Sequence, residues 1–272
     1  MATSPLWLDK SKSGVVNAWT RFATDAANGS RPLNTLRANK IVKNVFDHVS
    51  PKEAQSYVGL AASLPKAMFE AAVKALGEWD GATGGRRLYR PLDISLTSTK
   101  YLGTLGKLWS RFGKDLYEIK IWNEIGGGLG GFSFMIGSVF SDINVNIFDL
   151  PEIAALQNKI FAKLGRLSNG STCVSYGFGL DLELDTGIKD DAGEGMLVSE
   201  HAWSECPYAV RKLYLDTVFS CASRGWLTNN FGSFTDLTQD AALEQVRSIH
   251  PSAQFEDTFV SASSYSISWG PR

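Results

Sequence analysis

Apolar positions keep a helical period through roughly the first hundred residues, then give way to short apolar runs separated by helical stretches. Val15, Val16, Trp19, Phe22 and Ala23 recur at helical spacing, and Leu36, Val42, Val45 and Phe46 do so less regularly. Ser50-Pro51-Lys52-Glu53 reads as a helix start, with Ser50 as N-cap and Pro51 in the first turn. A further helix is predicted over Leu64 to Trp79, and the polar, glycine-rich Asp80 to Arg87 reads as a loop. Thr99 to Phe112 returns to helical spacing. Strands are then predicted at Tyr117–Asn123, Ile143–Phe148, Thr172–Phe178, Met196–Ser199 and Trp226–Asn229. Helices are expected between most of them, at Phe132–Phe140, from Pro151, from Pro207 and at Asp240–Ile249. Phe255–Ser261 and Ser264–Trp269 alternate across a serine-containing turn and suggest a closing hairpin.

Strands alternating with helices imply an α/β fold with a doubly wound, mainly parallel sheet and an N-terminal helical extension. The expected division is a helical region over 1–112 and a Rossmann-like domain over 113–272. With 272 residues, 44% apolar and 20% charged, the chain can bury a substantial core. Lys and Arg (27) balance Asp and Glu (28), which disfavours nucleic-acid binding driven by phosphate neutralisation. Cys173, Cys206 and Cys221 form no CxxC pair, so neither a disulfide framework nor a zinc site is expected. Met1 to Lys12 lacks the apolar stretch of a signal peptide, and the uncharged run Ile125–Ser141 is broken by six glycines. A cytoplasmic protein that does not enter membranes is the expectation.

The chemistry concentrates where the first strand ends. Glu124-Ile-Gly126-Gly127-Gly128-Leu-Gly130-Gly131 satisfies G-x-G-x-x-G, the dinucleotide fingerprint, and equally E-x-G-x-G-x-G. Asp149 lies twenty-five residues after Glu124, at the predicted end of the next strand, where a carboxylate can accept from both ribose hydroxyls of a nucleoside. The leading acid, Glu124, suits the ammonium of a methionine moiety, which a dinucleotide lacks. The glycine pattern alone leaves both ligands open.

Glu124–Gly131 followed by Phe148-Asp149-Leu150-Pro151-Glu152 resembles motifs I and II of class I S-adenosylmethionine-dependent methyltransferases. Val198–Glu205, Tyr214-Leu215 and Gly225–Asn230 are similar to the sugar O-methyltransferase group of that superfamily. The resemblance implies a seven-stranded sheet with a reversed last hairpin and S-adenosyl-L-methionine as cofactor. Glu124 would hold its methionine end, Gly126, Gly128 and Gly130 would pass beneath it, Asp149 would bind the ribose, and Leu150 would pack on the adenine. Two departures stand out: Glu118 and Lys120 fall in the predicted first strand, and the third strand offers no acid for the adenine amino group.

For a hydroxyl acceptor the protein must supply alignment, desolvation and a base. Only His201, of three histidines, follows a predicted central strand, and Glu200 and Glu205 flank it as alternative bases or orienting groups. His48 and His250, near prolines at helix ends, read as structural. Asp190, Asp191 and Glu194 read as a solvated acidic loop, and no metal is expected. Arg86, Arg87 and Arg90 with Tyr89 read as a charged loop edge, with an anion-binding role as the alternative, while Trp7, Trp19, Trp79 and Trp109 are open to core or lid roles. The leading expectation is an O-methyltransferase of a small hydroxylated molecule, a sugar or nucleotide-sugar by resemblance. A nicotinamide-dependent oxidoreductase and a non-catalytic cofactor-binding scaffold are the alternatives.

Overall fold

A strand buried on both faces has no place for charge, and this sets where the sheet begins. In the computed structural model, which describes residues 13–45, 47–86, 88–165, 173–176, 195–230, 237–257 and 264–271, β1 is Ile121–Ile125, buried throughout. Glu118 and Lys120 are exposed and precede it, so the strand starts four residues later and ends two residues later than the expected Tyr117–Asn123. Next come β2 (Asn144–Phe148), β3 (Cys173–Tyr176), β4 (Gly195–Glu200), β5 (Arg224–Asn230), β6 (Gln254–Glu256) and β7 (Ser264–Trp269). The turn expected between the last two strands, and the remainder of the third strand, lie outside the described residues.

The strands form one seven-stranded sheet in the order β3-β2-β1-β4-β5-β7-β6. β1 to β5 pair in parallel, and β7 runs antiparallel to both β5 and β6. This is the doubly wound sheet with reversed hairpin that the sequence leads one to expect. Register aligns Ile125 with Phe148 on one side and with Ser199 on the other, bringing the carboxyl ends of β1, β2 and β4 level. Strand order reverses between β1 and β4, where ligands of such sheets bind.

Helices α1 (Ser13–Ala27), α2 (Lys40–Val45), α3 (Pro51–Ala61), α4 (Lys66–Thr83) and α5 (Leu96–Phe112) precede the sheet. Ser50 caps α3 through a reciprocal capping box with Glu53, as its sequence indicates. Between and after the strands run α6 (Gly131–Val139), α7 (Pro151–Lys163), α8 (Ala202–Glu205), α9 (Tyr208–Tyr214) and α10 (Gln239–Arg247). Trp19, Leu36, Leu76, Trp79 and Leu105 share one apolar cluster with Trp122, Phe132, Val198 and Trp226, so the N-terminal helices and the sheet pack on a common core. No helix among the described residues is long and apolar enough to cross a membrane.

The segment expected to be a loop from Asp80 begins instead as helix: α4 runs on to Thr83 and stops at Gly84, which is left-handed. The reason is a buried polar network. Asp80, fully buried, pairs with Arg37 and accepts from the Ser95 amide at 2.6 Å and the Ser98 hydroxyl at 2.9 Å. Arg37 also pairs with Asp47, donates to Ser95 Oγ at 2.9 Å and lies over the Trp79 ring. Removing one partner strands the other charge in the interior. Asp80→Ala should therefore cost about 3 kcal/mol or more of unfolding free energy in urea titrations, and Asp80→Asn less.

Candidate active site

Four strand ends and two N-terminal helices, α1 and α5, wall a cleft of about 340 Å³, within the range of small-molecule sites. The chain leaves β1 through the glycine turn. The Gly126 amide donates to the Phe148 carbonyl at 2.8 Å with φ at 75°, and a Cβ there would stand 2.0 Å from that of Ala202. Gly130 is also left-handed, and a Cβ on it would meet the Phe161 ring at 2.8 Å. Trp79 Nε1 donates to the Leu129 carbonyl at 3.1 Å, tying the turn to α4.

Glu124, near the end of β1, is buried and accepts from Ser133 Oγ on α6. Burial pushes its carboxyl up to about 7, with Asp149 and Glu200 adding to the rise and Ser133 opposing it. Asp149 follows β2 and accepts from the Leu150 amide at 2.8 Å, the Gly128 amide at 3.1 Å and Gln157 Nε2 at 3.1 Å. It too rises to about 7, because burial outweighs those three donors. Leu150 is half-buried beside it on the cleft wall. Gln157 additionally donates to the Gly128 carbonyl at 3.0 Å, bracing the turn against the acid. Sequence reading passed over this residue; its one signal was a polar side chain within the apolar face of α7.

At the end of β4, Glu200 Oε1 accepts from the hydroxyls of Thr104 and Thr228, each at 3.0 Å, while Oε2 faces Lys100 Nζ at 3.4 Å. Burial works to raise this carboxyl, but Lys100, Lys107 and His201 outweigh it and hold it below the ordinary range. His201 has φ at 78°, uncommon for a residue with a Cβ, and its amide donates to the Thr228 carbonyl at 2.6 Å. Its Nδ1 is buried and has no partner among the described residues. Burial, then Lys100, lowers the imidazole to about 3, so it is neutral at physiological pH. Glu205 is exposed at the mouth and accepts from Asn230 Nδ2.

The structure thus brings Glu124, Gly126, Gly128, Asp149, Leu150, Glu200, His201 and Glu205 to one cleft; Gly130 stands behind the turn. It adds Lys100, Tyr101, Thr97 and His48, all N-terminal and none singled out by sequence as site residues, and Trp19, for which a lid role stood open beside a core one. His48, expected to be structural, lines the cleft, whereas His250 stacks on Trp269 and contacts the Phe219 carbonyl at 2.8 Å. Arg86 and Arg90 are exposed and do not line it. Arg87, Asp190, Asp191 and Glu194 lie outside the described residues. Among the described residues no three metal-binding side chains cluster.

No protein-family model and no curated protein matches the sequence. Among solved structures, the chain is similar to the apo form of the S-adenosylmethionine-dependent methyltransferase SibL, with 13% identity, coverage of 85% of this chain and 73% of that one, and a TM-score of 0.43. It is similar to magnesium protoporphyrin IX methyltransferase (ChlM) from Synechocystis PCC 6803 with bound SAM, at 10% identity, 57% and 72% coverage and a TM-score of 0.42. It is also similar to PigF with SAH, at 12% identity, 76% and 94% coverage and a TM-score of 0.40.

The raised Glu124 carboxyl has a consequence for stability. Its folded value of about 7 exceeds the ordinary 4.5, so the folded state binds the extra proton between those values and stability falls as pH rises through them. Glu124→Gln removes that cost. The variant should be more stable than the native chain by on the order of 2 kcal/mol at about pH 8, with no such gain at about pH 4, in denaturant titrations at the two pH values.

Proposed function

We propose that the chain is an S-adenosylmethionine-dependent methyltransferase that acts on a hydroxyl of a small molecule. The observation that carries this reading is the placement of Glu124 and Asp149 at adjacent strand ends, across a left-handed glycine turn, in one cleft at the reversal of strand order. The residues fit the cofactor. Two desolvated carboxyls without a cationic partner among the described residues suit a ligand bearing an ammonium and a sulfonium. A carboxylate has about four acceptor positions, and Asp149 has three engaged, so a ribose diol would take the open one and displace the Gln157 amide from another. Leu150 supplies an apolar surface for the base.

When bound, S-adenosylmethionine supplies an activated methyl group. Around it the protein's tasks are alignment, exclusion of water and removal of one proton. His201, neutral and at the acceptor end, takes the proton late, once bond formation has made the attacking oxygen strongly acidic. Glu200, held by two hydroxyls and Lys100, positions that lysine, and Glu205 with Asn230 borders the mouth. The helices of residues 1–112 roof the acceptor through Trp19, Thr97, Lys100 and Tyr101. The similarity of Val198–Glu205 to sugar O-methyltransferases supports a sugar or nucleotide-sugar acceptor.

A nicotinamide site would use the same glycines, but the usual dinucleotide sheet runs 3-2-1-4-5-6, built of two similar halves. Here an antiparallel β7 is inserted between β5 and β6.

Calorimetric titration with S-adenosylmethionine and S-adenosylhomocysteine tests the reading. The native protein should bind both, and Asp149→Ala should weaken binding by about tenfold to a hundredfold, the value of hydrogen bonds to a charged group. Because Glu124 and Asp149 both rise to about 7 in the free protein, a cationic ligand selects their charged forms. Affinity for S-adenosylmethionine should therefore fall as pH drops below about 7, with protons released on binding. Native protein that binds neither compound but binds a nicotinamide dinucleotide would overturn the proposal. Cofactor binding without transfer to any hydroxylated acceptor would identify a scaffold.

A further inference from the structure

The acceptor end of the cleft holds a cation that the cofactor does not need. Lys100 reaches it from α5, with its side chain 12% exposed, and stands 3.4 Å from Glu200. The ammonium makes that ion pair and no other polar contact among the described residues, which leaves two of its three donors open. Glu200 is already shared. Two hydroxyls donate to it, and Lys107, two turns along α5 and set against the Tyr57 and Trp226 rings, adds a second positive charge in its field. Two lysines thus act on one carboxylate.

The other titratable groups around Lys100 are His201, after β4, and His48, before α3, and both imidazoles are depressed chiefly by burial and then by Lys100 itself. Neither is a strong base. Trp19 and Tyr101 add aromatic surface to the wall.

Magnitudes decide which hydroxyl such a site serves. A desolvated opposite charge within about 4–6 Å lowers an acid by about 1–3 pH units. Starting from a phenolic value near 10, this reaches the neutral range. From an aliphatic hydroxyl, whose acidity is close to that of water at about 15.7, it does not.

We propose that the acceptor is an aromatic hydroxy compound, bound against Trp19 and Tyr101 with its oxygen on Lys100 as the phenolate. On binding, the O–H bond breaks, its electron pair stays on oxygen and the proton passes to bulk water, while Lys100 remains an ammonium. This assignment rests on the methyl-transfer reading for its purpose, and it replaces both the sugar as the acceptor class and the late proton transfer to His201.

The probe is 4-nitrophenol, whose phenolate absorbs in the visible, titrated into the full chain across pH with and without saturating S-adenosylhomocysteine. The bound probe should ionise at a pH at least one unit below the free compound, an increase of about tenfold or more in its acidity. Lys100→Met should abolish the shift and Lys100→Arg should keep it. Retained S-adenosylhomocysteine binding shows that each variant is folded. An unshifted probe, an equal shift in Lys100→Met, or no probe binding by protein that binds S-adenosylhomocysteine would overturn the proposal. Native protein that shifts the probe but does not bind S-adenosylhomocysteine would instead overturn the methyl-transfer reading.

Discussion

Burying a carboxylate costs several kcal/mol unless charge or hydrogen bonds compensate, and the carboxyl edge of this sheet is organised around three such groups. Each is compensated differently. Glu124 has one hydroxyl and Asp149 three N–H groups, and in both cases burial prevails and the carboxyl rises to about 7. Glu200 has two hydroxyls and the field of two lysines, and it is held down. The cleft is therefore polarised along its length, short of positive charge beside β1 and β2 and supplied with it beside β4. A cationic donor at one end and an anionic oxygen at the other would neutralise both.

The positive charge comes from the N-terminal helices. Thr97, Lys100, Tyr101, Thr104 and Lys107 stand at positions i, i+3, i+4, i+7 and i+10 along α5, so they share one face. That face meets the end of β4: Thr104 bonds Glu200, and Lys100 faces it across the cleft. The start of α5 is fixed in turn by Ser95, which caps the helix and takes part in the Arg37–Asp80 network. A buried polar network, joined to the cleft wall by the Thr97 hydroxyl on Asp47, thereby sets the position of Lys100. The imidazole of His201 is depressed first by burial and then by this placement of Lys100.

What was legible in the sequence was local. Glu124, the glycines and Asp149 lie within twenty-six residues, and each residue type announces its own geometric need: a turn without Cβ, an acid at a strand end. The alternation of strands and helices carried the sheet, including the reversed hairpin, because buried parallel strands read as apolar runs. Lys100 was invisible because its partner stands a hundred residues away, and a lysine on an amphipathic helix ordinarily marks the solvent face. Asp80 was read as loop for the same reason, since Arg37, forty-three residues earlier, is what makes its burial tolerable. The early strand boundary at Tyr117 failed by periodicity alone, although Glu118 and Lys120 already argued against it.

His201 and Gly126 are two consequences of one close approach. Ala202, the first residue of α8, sits where a Cβ on Gly126 would be, so β4 must end in an abrupt turn. The turn falls on His201, forcing a positive φ on a residue with a Cβ, at a cost of about 1–2 kcal/mol that glycine would not incur. The turn geometry alone calls for glycine here, as it does at Gly126 itself. A histidine at this position makes physical sense if its side chain repays the strain elsewhere, and what surrounds it is the cleft, with Lys100 and Glu200 beside it. Its neutrality is then a property of the site as a whole: burial keeps the imidazole uncharged, and the lysine that suits an anionic oxygen adds to the effect.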